Sequence, residues 1–223
     1  MESWKKHCPD YEIRRWDETS FDINSNPYVK EAYDAKKYAF VTDYVRLWAL
    51  SQFGGIYMDI DVEVIKPLDR FLVHHAFSGF EFANKVPTGI MASEKGGLWA
   101  ARELQQYDDR HFIKEDGTYD LTTNVFTITN NLRKEGFLLN NTYQDHRNII
   151  TMYPMEYFCP EDQVPLKNTY TIHHFCGSWC SPRKRFVKRM RQSVQQFMVC
   201  RIILSFILKT RRKLFLNQQE SDE

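Results

Sequence analysis

Between Asp162 and Glu220 the chain has no acidic residue, although Lys and Arg number twelve there. The formal net charge of +1 hides this asymmetry. The first 162 residues are acidic overall and the last third is strongly basic, as expected of two segments with different surfaces. Long hydrophobic runs are also lacking. The longest, Phe197 to Leu208, covers about twelve residues and contains Arg201, which is short of the roughly 20 apolar residues of a spanning helix. Cysteine is scarce and odd in number: Cys8, Cys159, Cys176, Cys180 and Cys200, with no C-x-x-C. They show no paired disulfide framework, which suits a reducing compartment. Cys176 and Cys180 are too isolated to make a metal site alone. The start, Met-Glu-Ser-Trp-Lys-Lys-His, is polar and does not read as a signal peptide. A cytoplasmic location is the resulting expectation.

What is present is enough for a core. Aromatics make up 15% of the 223 residues, more than a disordered chain carries. Glu2 to His7 reads as a helix stopped by Pro9, and Tyr11 to Trp16 as a short strand. A domain of this size rarely opens so abruptly, so a first strand is expected to be missing. Asn26-Pro27 opens a helix, Asn26 as cap and Pro27 at the first position. A second helix runs from Tyr38 to Phe53, with Gly54 as its stop. Strands are predicted at Ile56 to Ile60, Phe77 to Phe82, Gly89 to Ala92, Asn148 to Tyr153 and Thr169 to Phe175. Helices are predicted at Leu98 to Tyr107 and Thr122 to Lys134, with a polar loop at Asp108 to Asp120. Alternating strands and helices argue for an α/β sandwich.

The stretch Gly54-Gly55-Ile56-Tyr57-Met58-Asp59-Ile60-Asp61-Val62 stands out. In a strand, residues two apart share a face. Ile56, Met58 and Ile60 would then enter the core, while Tyr57, Asp59 and Asp61 face the other way together. Adjacent carboxylates repel and are costly to desolvate. A hard cation such as Mg²⁺ or Mn²⁺ would relieve both problems and could carry a phosphate. A strand ending at the surface with two solvated Asp residues is the commoner explanation of a bare D-x-D. Two further pieces could join it. Asp43 and Arg46 lie three apart on the preceding helix, where an exposed pair would be worth a few tenths of a kcal/mol. His173-His174-Phe175-Cys176-Gly177-Ser178-Trp179 offers imidazole, hydroxyl and indole groups. His173 and His174 point to opposite faces of a strand, so one of them could be a core histidine.

Taken in order, these residues resemble glycosyltransferase family 32. Ala39-Phe40-Val41-Thr42-Asp43-Tyr44-Val45-Arg46-Leu47 running into Phe53-Gly54-Gly55-Ile56-Tyr57-Met58-Asp59-Ile60-Asp61 is similar to its signature. Ile172-His173-His174-Phe175-x-Gly177-Ser178-Trp179 is similar to its closing motif, and Ser3 to Trp16 to the segment after its first strand and helix. The resemblance covers roughly residues 1 to 180. It implies a GT-A-like nucleotide-binding α/β sandwich with a mixed central sheet, here without its usual first strand. It implies a transferase domain at 1–181, and the residues after it, 182–223, read separately as a basic amphipathic segment. It also implies a metal-dependent, retaining transfer from a nucleotide-sugar donor, with a UDP-sugar favoured, to a glycan or lipid-linked acceptor, as in capsule and surface polysaccharide synthesis. Under the resemblance, Asp61 binds the Mn²⁺ or Mg²⁺, Asp59 binds ribose or the metal, and His174 completes the metal site, with His173 as second choice. Asp43 and Arg46 hold the donor sugar, and Gly55, Tyr57, Ser178 and Trp179 face the donor sugar and diphosphate. No general base is assigned. Family members begin with a strand and an aromatic-Gly-Gly turn that contributes to the base pocket. That piece is absent here, so the base pocket is expected to be open on one side.

From Pro182 onward, Arg and Lys interleave with Phe186, Val187, Met190, Val194, Phe197 and Met198. An amphipathic basic helix of this kind suits the anionic inner face of a membrane. A helix packed on the body with a solvated basic face is the alternative. No recognition motif accompanies the charge, so nucleic acid is not an expected partner. Two other functions are compatible with parts of the sequence. A degenerate family member could bind a partner without turnover. A haloacid-dehalogenase-type phosphatase would use Asp59-Ile60-Asp61-Val62 with Asp116-Gly117-Thr118-Tyr119-Asp120, but Glu63 departs from that pattern.

Overall fold

The computed structural model describes residues 1–175 apart from Ala83, Arg147 and Asn148. Ser178, Trp179 and the basic segment lie outside the described residues. Residues Met1–Phe175 form one compact unit.

The chain opens with α1 (Glu2–His7), α2 (Pro27–Asp34) and α3 (Tyr38–Phe53), then β1 (Gly55–Met58), β2 (Val62–Val64), β3 (Ala76–Gly79) and β4 (Ile90–Ser93). Two helices follow, α4 (Leu98–Gln105) and α5 (Asn124–Lys134), and then β5 (Gln144–His146), β6 (Ile150–Tyr153) and β7 (Thr171–His173). Local chemistry explains the boundaries. Asn26 Oδ1 accepts the N–H of Tyr28 at 3.0 Å and of Val29 at 3.4 Å, which satisfies two donors at the buried N-terminal end of α2. On α3, Val41, Tyr44, Leu47 and Leu50 recur at helical spacing and are buried. The helix stops at Gly54, whose φ is +71°. A Cβ there would lie 2.5 Å from the Lys95 nitrogen, so the turn into β1 needs glycine on both counts.

Five strands form a mixed sheet in the order β1-β4-β3-β6-β5, with β3 and β6 parallel and the other pairs antiparallel. Alternation splits its side chains between two cores. Tyr57, Met91 and Met152 face a cluster with Tyr28, Tyr44, Trp99 and Ile128 from α2 to α5. Ile56, Met58, Phe77, Ile90 and Ala92 face a second cluster with Trp4 of α1, Val64 and Phe158. Phe71 anchors that second core, its ring centroid 4.7 Å from Tyr170 and 5.0 Å from Phe158. The layered α/β sandwich with a mixed central sheet is the expected fold class and is consistent with a GT-A-like fold.

A separate ribbon pairs β2 with β7, Val62 opposite His173 and Val64 opposite Thr171. The Trp4 indole N–H donates to the Val62 carbonyl at 2.7 Å from a buried position. α1 therefore fastens the ribbon directly after the D-x-D.

Three local expectations are corrected. β1 ends at Met58, and Ile60 is 83% exposed instead of entering the core. Asp59 to Asp61 form a turn, closed by Val62 N–H donating to Asp59 O at 3.0 Å. Tyr11 to Trp16 is not a strand. It is held by side-chain stacking, with Trp16 5.2 Å from Trp48 and 4.9 Å from Phe53. Within the expected loop, Ile113 forms an antiparallel bridge with Tyr119, so that segment is a hairpin.

Candidate functional site

The site begins inside α3. Asp43 and Arg46 are 7% and 5% exposed, so this is no solvated surface pair. Arg46 Nη2 lies 3.3 Å from Asp43 Oδ1 and 3.8 Å from Asp59 Oδ1. Its Nη1 donates to Thr88 O at 2.6 Å and its Nε to Thr42 O at 3.1 Å. The guanidinium also sits 4.9 Å over the Tyr57 ring, a favourable cation–π distance. Burial works against the Arg46 charge, but Tyr57, Asp43 and Asp59 around it outweigh that and hold its pKa above the ordinary value. Burial pushes the Tyr57 phenol up as well, with Arg46 opposing. The phenol thus stays protonated and donates to Asp59 Oδ1 at 2.7 Å.

Asn124, at the start of α5, completes this wall. Its backbone N–H donates to Asp43 Oδ2 at 3.0 Å, and its side-chain Nδ2 to Asp43 O at 2.6 Å. Its Oδ1 accepts the Tyr107 hydroxyl at 2.5 Å. Sequence reasoning missed Asn124. The only signal was a lone Asn at the mouth of a helix, which reads equally well as an ordinary cap.

The opposite wall is the ribbon. Asp59, Asp61 and His173 each offer one ligand atom, and the three atoms lie within 4.8 Å of one another. His173 Nε2 is 3.3 Å from Asp61 Oδ1 and 4.0 Å from Asp59 Oδ2. The carboxylates converge through the turn, not by strand alternation. Asp59 N–H donates to Gly89 O at 2.8 Å, which fixes the first Asp. His173 is held by packing: Phe175 lies 4.0 Å from its ring, and among the described residues its buried Nδ1 has no hydrogen-bond partner. A Cβ on Gly89 would come within 2.5 Å of His173 Cε1, so glycine there leaves room for the imidazole. Thr88-Gly89 is therefore a hub for Arg46, Asp59 and His173. The sequence hinted at it only through a glycine just before a run of apolar residues.

The structure places His173 beside the carboxylates, where His174 was the first choice. His174 Nε2 faces Glu63 at 2.9 Å and its Nδ1 faces Gln163 at 3.2 Å. The reason is strand alternation: Val62 of β2 pairs with His173, and the next residue turns to the other side. Gly55 opens β1, four residues before Asp59, or about 13 Å away at the usual rise. Asp116, the phosphatase candidate, is exposed at the hairpin tip and accepts from Thr118 N–H at 2.9 Å. Among the described residues it is not part of the metal-competent group.

Two carboxylate oxygens and one imidazole nitrogen could hold a divalent cation. Buried donors and a protonated phenol hold one carboxylate in place before any ligand arrives.

Residues 1–78 match the family model of the glycosyltransferase sugar-binding region containing DXD motif. The chain is also 31% identical over 106 residues to inositol phosphoceramide mannosyltransferase 3 of Schizosaccharomyces pombe, covering 43% of this chain and 30% of that relative. Together these support a glycosyltransferase family 32-like assignment. The match spans about a third of the length of the curated relative. The matched stretch contains Asp43, Arg46, Tyr57, Asp59 and Asp61, while Thr88, Gly89, Asn124 and His173 lie beyond it. No solved structure is a significant match. Among the described residues, no helix is long and apolar enough to cross a membrane.

Proposed function

We propose that the chain transfers a hexose, mannose being the first candidate, from a nucleotide-sugar donor to a glycan or lipid-linked acceptor in a metal-dependent reaction. The observation that carries this is the Asp59–Asp61–His173 group lying against the buried Asp43–Arg46 pair. Asp61, Asp59 and His173 would hold Mn²⁺ or Mg²⁺, which when bound supplies positive charge to the donor diphosphate. Arg46 fixes Asp43 and Asp59 relative to each other, and Tyr57 orients Asp59 through its hydroxyl. The Asp43 carboxylate favours positive charge developing on the donor sugar. Retention at the anomeric carbon rests on the resemblance alone. So does the contact of Ser178 and Trp179 with the diphosphate. Peripheral attachment to an anionic membrane rests on the sequence of residues 182–223.

The deciding experiment is Mn²⁺-dependent hydrolysis or transfer from a panel of nucleotide sugars, with Asp61→Asn as control. Turnover with one donor, lost in the variant, is expected. No turnover with any donor in a folded protein would overturn the proposal and favour a degenerate binding protein.

A further inference from the structure

Beyond the site described so far, the segment between α4 and α5 forms a fastened hairpin with a groove beside it. Glu31 on α2 accepts the N–H groups of Phe112 and Ile113 at 2.8 and 2.9 Å. Arg110 donates from Nε to Asp120 Oδ2 at 2.8 Å and from Nη2 to Thr122 O at 2.9 Å. Its guanidinium packs over Tyr28 and Tyr107, 4.9 and 5.1 Å from their rings. Phe112 stacks against Tyr119 at 5.1 Å. Such a hairpin presents its side chains in a fixed arrangement before a ligand binds.

Between this hairpin and the first turn of α5 lies an open groove of about 450 Å³, whose lining includes Lys114, Tyr119, Leu121, Thr122, Thr123 and Phe126. Leu121 and Phe126 are 61% and 62% exposed. Apolar surface alternates here with hydroxyl and charged groups. A hydrocarbon chain would favour a uniformly apolar groove. A sugar ring has an apolar C–H face and a rim of hydroxyls, and it matches the mixture. The groove also adjoins the helix-side wall along the chain. Thr123 lines it, and the next backbone N–H, that of Asn124, lies 3.0 Å from the Asp43 carboxylate.

We propose that this groove is the acceptor subsite and takes a pyranose ring, with Phe126 and Leu121 under its apolar face and Lys114 and Thr122 at its hydroxyl rim. The assignment as acceptor subsite rests on the transferase reading above. A ring held there would lie beside Thr123, one residue before the Asn124 that holds Asp43.

The test uses the full chain without donor or metal. Methyl α-D-mannopyranoside and methyl α-D-glucopyranoside serve as probes in saturation-transfer NMR, against wild type, Phe126→Ala, Leu121→Ala and Phe126→Trp. Binding to wild type is expected to weaken about tenfold in Phe126→Ala, the equivalent of one lost aromatic contact, and to survive in Phe126→Trp. Mn²⁺-dependent donor hydrolysis is measured in the same proteins and is expected to be unchanged in Phe126→Ala. Absence of probe binding, binding indifferent to both alanine variants, or a parallel loss of donor hydrolysis would overturn the acceptor subsite. Phe126-dependent probe binding in a chain that hydrolyses no donor would keep the sugar groove and sink the transferase reading.

Discussion

The two walls of the site are built on different principles. On the helix side, Asp43, Arg46, Tyr57 and Asn124 form a closed network in which each buried polar group named has a protein partner. On the ribbon side, Asp61 and His173 come together at a turn and a strand end, and the imidazole is positioned by Gly89 and Phe175 instead of by a hydrogen bond to Nδ1. A closed network resists rearrangement and holds geometry. A cluster of like-charged carboxylates with an imidazole gains most from a cation. The comparison teaches that stability and ligand response should separate between the walls: changes on the helix side should cost folding, and changes on the ribbon side should cost cation binding.

The largest effect should come from Arg46→Met, which keeps bulk but leaves Asp43 buried without its cation. Removing one partner of a buried pair costs about 3–5 kcal/mol. Urea denaturation should show a loss of that order, and a loss below about 1 kcal/mol would mean that the pair behaves as a surface contact.

Glu103 on α4 extends the same point, because among the described residues it is a buried carboxylate whose partner is an amide and not a cation. It is 4% exposed and accepts from Asn131 Nδ2 at 2.9 Å. Burial pushes its carboxyl up to about 7, with the Asn131 hydrogen bond opposing and Glu135 adding to the rise. A carboxyl raised on folding keeps its proton longer in the native state, so stability is full below the ordinary value near 4.5 and declines as pH rises toward about 7. Glu103→Gln should therefore be neutral at pH 4 and stabilise at pH 8 by something on the order of 3 kcal/mol. Thermal melts at the two pH values check this, and a pH-independent difference would contradict it.

Gly89→Ala should act mainly on the other wall. The added methyl has to displace His173, at a cost of about 1–3 kcal/mol in stability. Mn²⁺ affinity should fall more sharply, by roughly 10–100-fold as for other losses of ligand support. Calorimetric Mn²⁺ titration beside a urea melt separates the two readouts. Equal affinity in the variant would break the link between Gly89 and the site.

How much of this was legible in the sequence depends on the range of the interaction. α3 and its Gly54 stop were readable because helical spacing and a left-handed glycine are local signals. Asp43, Arg46, Asp59 and Asp61 were readable as a motif, but the burial of Asp43 and Arg46 was not, since that depends on packing with α5 and on the Thr88 carbonyl. The choice of His173 over His174 depends on the register between β2 and β7, which a strand pattern alone leaves open by one residue. Ile60 misled because alternation holds only while the strand continues, and β1 ends two residues earlier. Tyr11 to Trp16 misled because its aromatic and branched residues suit a strand, but Trp16 packs on α3, Tyr11 on the second core, and Ile13 is exposed. Asn124 and Gly89 act through backbone atoms of distant elements, where residue type carries almost no signal.

The central claim is that Asp59, Asp61 and His173 form one cation site beside a preformed wall. Mn²⁺ electron paramagnetic resonance titration of wild type, Asp61→Asn, His173→Ala and His174→Ala tests it directly. The account predicts a single saturable Mn²⁺ site that weakens at least tenfold in Asp61→Asn and His173→Ala and is unchanged in His174→Ala. Binding that is indifferent to Asp61 and His173, or that depends on His174 in place of His173, would contradict it.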